Sequence, residues 1–419
     1  MPKILELSPY FFPEQISSTH LAEDLNEALY AEGFCIENYV PTPTRGVSDE
    51  VREQYKKLKE EVRDDGHMTV HRFSMFREGK NPVGRALRYV LVNLIQSYKG
   101  ANAEDINVVY SGSTPPTQGL LCGRVARRLS RKYKRKVPFV YNLQDVFPDS
   151  LVSAGLTSKG SIIWKIGRKM EDRTYRYADR IIVISEDIRK NILEKGVPEE
   201  KIEVIPNWID TQQVHPVRRE ENPLFDEIGV DRSKFIVVYA GNLGMAQGID
   251  TLIEAVKRID DVEFLIFGGG SSREDYVKKS EGCTNVHWLA LMPQSRVSEV
   301  YSIGDLCLVA CKPGLGSGAV PSKTFSIMAT GTPILLSFDE GTELWNLVKG
   351  NDCGFCTHAG NVEELSAAIR YAKDHPDELA KMGKNARACV EKTYSKQIGT
   401  SRTIEVIRKA VEKAKVFCK

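Results

Sequence analysis

No apolar run in this chain approaches membrane-spanning length, neither charge sign dominates, and the cysteines follow no framework spacing. The most apolar stretch, Tyr89 to Ile95, is broken by Asn93 and falls far short of the roughly 18 residues a spanning helix needs. The opening MPKILELSPYFFP lacks the basic lead and long apolar core of a secretory signal and reads as a first β-strand, so a cytoplasmic chain is expected. The 58 basic and 56 acidic side chains leave a formal charge of +2, which argues against a global drive toward nucleic acid. Any charge effect must be local. The nine cysteines are scattered, most in apolar surroundings such as Leu306–Val309. The lone pair Cys353 and Cys356 has no second pair to complete a structural zinc site, and reads as two small strand residues. Internal repeats and low-complexity tracts are also missing.

What is present is enough apolar material, 42% of 419 residues, for more than one core, and chains beyond roughly 250–300 residues usually divide. Strands are expected near Lys3–Leu7, Phe34–Val40, Met68–Arg72, Asn107–Tyr110, Phe139–Asn142, Arg180–Ile184 and Ile202–Ile205. Several are apolar on both faces, as a parallel sheet covered by helices requires. Helical period separates them; Leu21, Leu25 and Leu29 share one face. Residues 212–233 are polar, contain Pro216 and Pro223, and read as a linker. The same alternation then restarts with Phe235–Ala240, Val262–Phe267, Asn285–Leu289, Leu306–Ala310 and Pro333–Leu336. An α/β fold follows, with two doubly wound, Rossmann-like parallel sheets facing across a cleft. The expected division is a first domain over 1–211, the linker, a second domain over 234–395, and a helix over 396–419 that crosses back to the first.

Ligands in open α/β sheets bind beyond the carboxyl ends of the strands, and four loops there are unusual. Tyr239–Gly248 leaves a strand through three glycines and opens a helix that Asp250 is expected to cap. Glycines at 241 and 244 let backbone N–H groups approach a ligand, and Asn242 and Gln247 can donate without adding charge, which together suit a phosphate. The bland alternative is an ordinary glycine-rich turn. Gly314–Gly331 brings Ser322 to an N-cap position and Lys323 into the first turn. A lysine there opposes the helix dipole, which is understandable if it faces an anion such as a diphosphate; a solvated lysine is the alternative. In Tyr141–Asp149 the pair Gln144 and Asp145 is placed to hold sugar hydroxyls or an acceptor, although Asp145 equally suits a helix cap. In Pro9–His20 the aromatic-proline part stiffens a turn, Gln15, Ser17 and Ser18 are placed to reach the cleft, and His20 reads as structural. The triple glycine Gly268–Gly270 fails the dinucleotide fingerprint because Arg273 stands where the third glycine belongs, which argues against a nicotinamide-dependent oxidoreductase.

These loops, in this order, resemble the bacterial family-4 retaining glycosyltransferases of the GT-B fold, especially the O-antigen and capsular polysaccharide branch. The likeness runs from Met1 to about Tyr394. It is anchored on Ser8–Glu14, Thr114–Pro116, Gln144–Pro148, Val204–Asp210, Tyr239–Gly248, Asp305, Pro321–Lys323 and Met328–Pro333. The resemblance implies a nucleotide-diphosphate sugar donor in the second domain, a lipid-linked or glycan acceptor in the first, retention at the anomeric carbon and no metal or other cofactor. It assigns Gly241, Asn242, Gly244, Gln247, Ser322 and Lys323 to the diphosphate, and Asp145 to the sugar, so that Asp145 and Lys323 are the expected catalytic pair. The chain also departs from the family. Many relatives carry an Arg and a Lys where Asn242 and Gln247 stand, and two glutamates eight apart where this chain has Gly318 and Ser326. The usual ribose-binding carboxylate is therefore absent, which leaves Lys323 much of the charge neutralisation. These differences match the polysaccharide branch, expected to use mostly uridine-linked amino or deoxy sugars. A catalytically silent GT-B module that binds a sugar nucleotide or a partner enzyme is the competing reading.

Two further segments point to a membrane surface. Arg124, Arg127, Arg128, Arg131, Lys132, Lys134, Arg135 and Lys136 form a basic run suited to anionic headgroups. Val83–Tyr98 carries Leu87, Val90, Leu91, Leu94 and Ile95 with Arg85 and Arg88, as in an amphipathic helix lying on a bilayer. A solvated basic face and a core helix are the alternatives.

Overall fold

The computed structural model describes residues 1–14, 19–79, 81–153, 155–316 and 320–416. The chain forms two compact units, Met1–Pro206 together with the chain from Thr400 onward, and Asn207–Gly399.

The first unit is built on eight strands: β1 (Lys3–Glu6), β2 (Cys35–Pro41), β3 (Glu60–Arg63), β4 (Met68–Phe73), β5 (Val108–Gly112), β6 (Phe139–Leu143), β7 (Arg180–Val183) and β8 (Ile202–Val204). They are ordered β3-β4-β2-β1-β5-β6-β7-β8, and each neighbouring pair is parallel except β3 with β4. Strand β3 has no counterpart in the hydrophobic pattern because Glu60-Glu61-Val62-Arg63 is a charged, largely exposed edge, which keeps a sheet margin from pairing with other chains. Among the described residues the helices of this unit are α1 (Thr19–Ala31), α2 (Asp49–Lys57), α3 (Pro82–Asn102), α4 (Gln118–Tyr133), α5 (Asp149–Ser153), α6 (Ile162–Tyr177) and α7 (Glu186–Glu194). The core lies between the helices and the middle strands, where Leu5, Val109, Phe139 and Ile181 are fully enclosed.

The second unit is a six-stranded, all-parallel sheet of β9 (Phe235–Ala240), β10 (Val262–Phe267), β11 (Val286–Leu289), β12 (Leu306–Ala310), β13 (Ile334–Phe338) and β14 (Gly354–His358), ordered β11-β10-β9-β12-β13-β14. Its helices are α8 (Leu224–Ile228), α9 (Ile249–Val256), α10 (Arg273–Lys279), α11 (Val297–Ser302), α12 (Lys323–Ala329), α13 (Glu343–Gly350), α14 (Val362–Asp374) and α15 (Pro376–Thr393). The last helix, α16 (Lys396–Val416), starts in this unit and from Thr400 onward belongs to the first. There Arg402 donates to the Val204 carbonyl at 2.8 Å.

The polar segment 212–233 is not a free linker. It folds into the second unit, with Leu224 and Phe225 of α8 fully buried in the core. Asp305 holds it there, accepting from Arg219 at 2.9 Å and from the Ile236 backbone at 2.8 Å. The few apolar residues of that segment are spaced for one short helix, too little to register as periodicity. Strand β14 carries Cys356, and Cys353 precedes it; their thiols face the Trp345 and Asn351 carbonyls. No helix of the described residues is long and apolar enough to cross a membrane.

Candidate functional site

Strand β9 ends the centre of the second sheet, and the loop that follows is shaped by close backbone approach. The Gly241 N–H donates to the Phe267 carbonyl at 2.9 Å, and Leu243 N–H to the Gly269 carbonyl at 2.9 Å, so the loop lies along the glycines that follow β10. A Cβ on Gly268 would lie 2.1 Å from the Gly241 carbonyl oxygen, which makes glycine the only residue that fits. The triple glycine that fails as a dinucleotide fingerprint is thus the floor of the Tyr239–Gly248 loop. Its signal was visible in the sequence, but its partner was not. At the other end, the Tyr239 hydroxyl donates to the Asn242 carbonyl at 2.7 Å and ties the loop to its strand. The Asn242 side chain is exposed, while Gln247 is half-buried in the single turn Met245–Gln247. Helix α9 begins at Ile249 behind Gly248, so Asp250 lies inside its first turn instead of capping it, and pairs with Lys279 at 2.5 Å.

Lys323 opens α12 and reaches back across this loop. Its ammonium lies 4.0 Å from the centre of the Tyr239 ring, and a Cβ on Gly241 would come within 2.9 Å of it. Part of the side chain meets solvent, but the nitrogen itself is enclosed and has no hydrogen-bond partner among the described residues. Burial lowers its pKa to about 8. An enclosed ammonium with only a ring face beside it is electrostatically unsatisfied, and an anion is what satisfies it. Ser322 precedes the helix with helical φ and ψ and makes no capping bond, so the expected N-cap interaction is absent and its exposed hydroxyl is not spent on the helix. The structure therefore brings Gly241, Asn242, Gly244, Ser322 and Lys323 to the carboxyl edge of β9 and the start of α12, with Gln247 one turn along the same loop. Ser326, where many relatives have a glutamate, is buried within α12; Gly318 lies outside the described residues.

The acceptor-side residues belong to the first unit. Asp145 is exposed after β6 and borders a cavity of about 10 Å³, room for one water, lined also by Tyr141, Phe147, Glu171 and Tyr175. Gln144 is anchored: its backbone N–H donates to Ser113 at 3.0 Å and its amide to Asn142 at 2.9 Å, which in turn donates to Tyr110 at 2.9 Å. Two strands away Asn38 donates to buried Glu6 at 3.1 Å, and burial raises the Glu6 pKa to about 7. Asn38, Glu6, Tyr110, Asn142 and Gln144 thus lie on the adjacent strands β2, β1, β5 and β6 and the loop after β6. The first four escape sequence reasoning because they lie within strands, where polar residues carry no loop or motif signal, and only the sheet order brings them together. Gln15, Ser17 and Ser18 lie outside the described residues.

In the basic run, Arg124, Arg127, Arg128, Arg131, Lys132 and Lys134 are exposed. Arg135 is half-buried and donates to the Ile106 carbonyl at 2.8 Å, while Lys136 pairs with Asp179 at 2.8 Å. Arg88, expected on the polar side of an amphipathic helix, is instead fully buried, its Nε donating to the Phe76 carbonyl at 3.2 Å. Among the described residues no group of histidine, cysteine and carboxylate side chains is placed to hold a metal.

Comparison with known proteins follows the same two-part division. Residues 24–213 match the model for Glycosyltransferase Family 4, and residues 220–388 that for Glycosyl transferases group 1. The chain is 27% identical to the probable glycosyltransferase WbjE of Pseudomonas aeruginosa, over 82% of this chain and 85% of that one. It is 29% identical to the putative colanic acid biosynthesis glycosyl transferase WcaI of Escherichia coli K12, over 62% and 64%. A further relative, at 25% identity over 70% and 73%, is the Escherichia coli UDP-Gal:alpha-D-GlcNAc-diphosphoundecaprenol alpha-1,3-galactosyltransferase. Among solved structures, sucrose-phosphate synthase from Thermosynechococcus elongatus superposes with a TM-score of 0.75 at 16% identity, covering 98% of this chain and 99% of that one. Anabaena HepE in complex with UDP-glucose superposes with a TM-score of 0.68 at 16% identity, covering 97% and 99%. Two parallel α/β units, two consecutive family models and relatives in polysaccharide assembly place this chain in the family-4 glycosyltransferases of the GT-B fold.

Proposed function

We propose that this glycosyltransferase moves a sugar, with retention of anomeric configuration and without a metal, from a uridine-diphosphate donor carrying an amino or deoxy sugar to a lipid-linked or glycan acceptor of surface polysaccharide. The observation that carries the reading is the enclosed Lys323 ammonium beside the Gly241 backbone, without a hydrogen-bond partner among the described residues. As the bond from the anomeric carbon to the diphosphate breaks, negative charge grows on the departing oxygen. Lys323, the side chains of Asn242, Gln247 and Ser322, and the loop N–H groups other than those of Gly241, Leu243 and Gln247, which donate to backbone carbonyls, are donors fixed before that charge appears, and a preorganised donor set lowers the barrier most. Asp145 and Gln144, with Gln15, Ser17 and Ser18, supply the sugar and acceptor contacts. The substrates named for the galactosyltransferase relative and the UDP-glucose bound to HepE support the donor class and a lipid-diphosphate acceptor. Such an acceptor puts the enzyme in peripheral contact with the anionic inner face of the plasma membrane.

The test is a transfer assay with UDP-sugars and a prenyl-diphosphate glycoside, followed by nuclear magnetic resonance of the product. Acceptor-dependent UDP release, an axial-to-axial outcome and a rate unchanged by a chelator are expected. Binding of UDP-sugar without any acceptor-dependent release would instead favour the silent module, which the Ser326 replacement motivates. An inverted product, or a rate restored only by added metal, would contradict the mechanism.

A further inference from the structure

Three helices of the first unit carry one surface that the reaction does not use. Helix α4 packs between α3 and α6, and all three follow crossovers that advance the same way along the parallel sheet, which places them on one face. On α3 each exposed position from Val83 to Tyr98 is apolar: Val83, Ala86, Leu87, Val90, Leu94 and Tyr98. On α4 each exposed position is basic: Arg124, Arg127, Arg128, Arg131 and Lys132. On the first turns of α6 the exposed residues are Ile162, Ile163 and Ile166 with Lys165 and Lys169, and Leu156 stands exposed just before the helix. Val83 is 76% exposed and Ile162 78%, so these are not edges of the core. None of the exposed positions named carries a carboxylate, and among the described residues none of the five basic residues on α4 is in a salt bridge. Their nearest partners are neutral: Arg128 donates to Ser97 at 3.2 Å, Lys132 to the Asn102 and Ala103 carbonyls at 3.0 Å, and Arg127 lies 5.0 Å from the Tyr177 ring centre.

We propose that α3, α4 and α6 form a single docking face for an anionic lipid bilayer, with two apolar ridges entering the interface on either side of a basic row that meets the headgroups. This rests on the lipid-linked acceptor proposed above and extends it from a contact to a geometry: α6 is a second foot, and two feet fix the orientation of the unit on the membrane. Charge complementarity selects the occupant. An acidic headgroup layer satisfies the α4 row while its acyl boundary takes the ridges, the combination by which interfacial helices bind. A second copy of this chain docked on the same face by a two-fold axis would set one basic row against the other, which is repulsive. Isolated surface leucines are ordinary, but apolar residues on two helices bracketing an unpaired basic row form a contiguous patch of the kind that marks a binding surface.

Co-sedimentation with vesicles of phosphatidylglycerol and phosphatidylethanolamine, and with vesicles of phosphatidylcholine alone, tests this at low and high salt. Wild-type protein should pellet with the anionic vesicles, less at high salt, and poorly with the neutral ones. Leu87→Glu with Leu94→Glu on α3, and Ile162→Glu with Ile166→Glu on α6, should each lower partitioning about tenfold or more. Arg124→Gln with Arg127→Gln and Arg131→Gln should remove most of the salt dependence. Far-UV circular dichroism and a cooperative thermal melt matching wild type report that the mutated unit is folded in all three variants, and UDP titration, a property of the other unit, should be unchanged in each. An α6 variant that pellets like wild type would overturn the two-ridged face. So would light scattering in which either apolar variant turns a dimer into a monomer while vesicle binding persists. Vesicle binding lost in all three variants of a protein that transfers no sugar would leave this face standing and remove only the transferase reading.

Discussion

Lys323 keeps its ammonium out of water with no acceptor beside it among the described residues, and burial draws its pKa down to about 8. Below pH 8 the folded and unfolded chains both hold that proton. Between about 8 and the ordinary lysine value of 10.5 the unfolded chain holds a proton that the folded one has lost, so this residue adds stability as pH rises. Ligand binding follows the opposite sign, because a diphosphate favours the charged form and pulls the pKa back up. Above pH 7, where the terminal phosphate of UDP with its second pKa of about 6 is already ionised, affinity should hold up to about pH 8 and fall beyond it. At pH 8 to 9 binding should take up a fraction of a proton, visible as a dependence of calorimetric heat on the buffer's ionisation enthalpy; no uptake would remove Lys323 from the site. Glu6 gives a separate signature in the other unit. Its pKa is raised to about 7 by burial, above the unfolded value of 4.5, so its contribution is fully present below 4.5 and lost as pH rises through 7. Glu6→Gln should therefore gain stability relative to wild type from pH 5 to pH 8, by at most about 3 kcal/mol, read from denaturant midpoints at the two pH values. An equal gain at both would mean that the carboxylate is not displaced from its ordinary range.

At the scale of elements, the site is a loop held down by another loop. The Gly241 carbonyl fits against Gly268 only because residue 268 has no Cβ. Gly268→Ala should cost roughly 1–3 kcal/mol of stability, the usual range for overpacking, and weaken UDP binding through the displaced Gly241 backbone. Unchanged affinity with lowered stability would show that the loop's position does not matter to the ligand. This scale also shows what a sequence can and cannot disclose. The strongly apolar strands, Phe235–Ala240 and Val262–Phe267, fall where their periodicity puts them, because burial on both faces demands it. Strand β3 and helix α8 are invisible to the same reasoning: one is a charged edge, and the other hides two core residues, Leu224 and Phe225, in a polar segment. Lys323 was legible as a residue that opposes a helix dipole. That Tyr239 lies beneath it and Gly268 supports its neighbour depends on strand adjacency, and pairing across strands leaves no mark in local composition. Arg88 shows the converse, since helical spacing puts it beside Arg85, yet the chain buries it against the Phe76 carbonyl.

Across the whole molecule, the second unit carries the proposed anion site, and the first carries the polar row with Asp145 and the three-helix face. Donor recognition can therefore be measured independently of acceptor and membrane, and everything else in the account depends on it. The direct measurement is a calorimetric titration of UDP into wild-type protein and Lys323→Ala at pH 7, paired with a thermal melt of each. Loss of one charge-assisted contact is worth about 1.5–3 kcal/mol, so affinity should fall roughly 10- to 100-fold. The melting temperature should hold or rise, because the substitution removes a buried charge that has no partner. Equal UDP affinity in the two proteins would contradict the account at its centre.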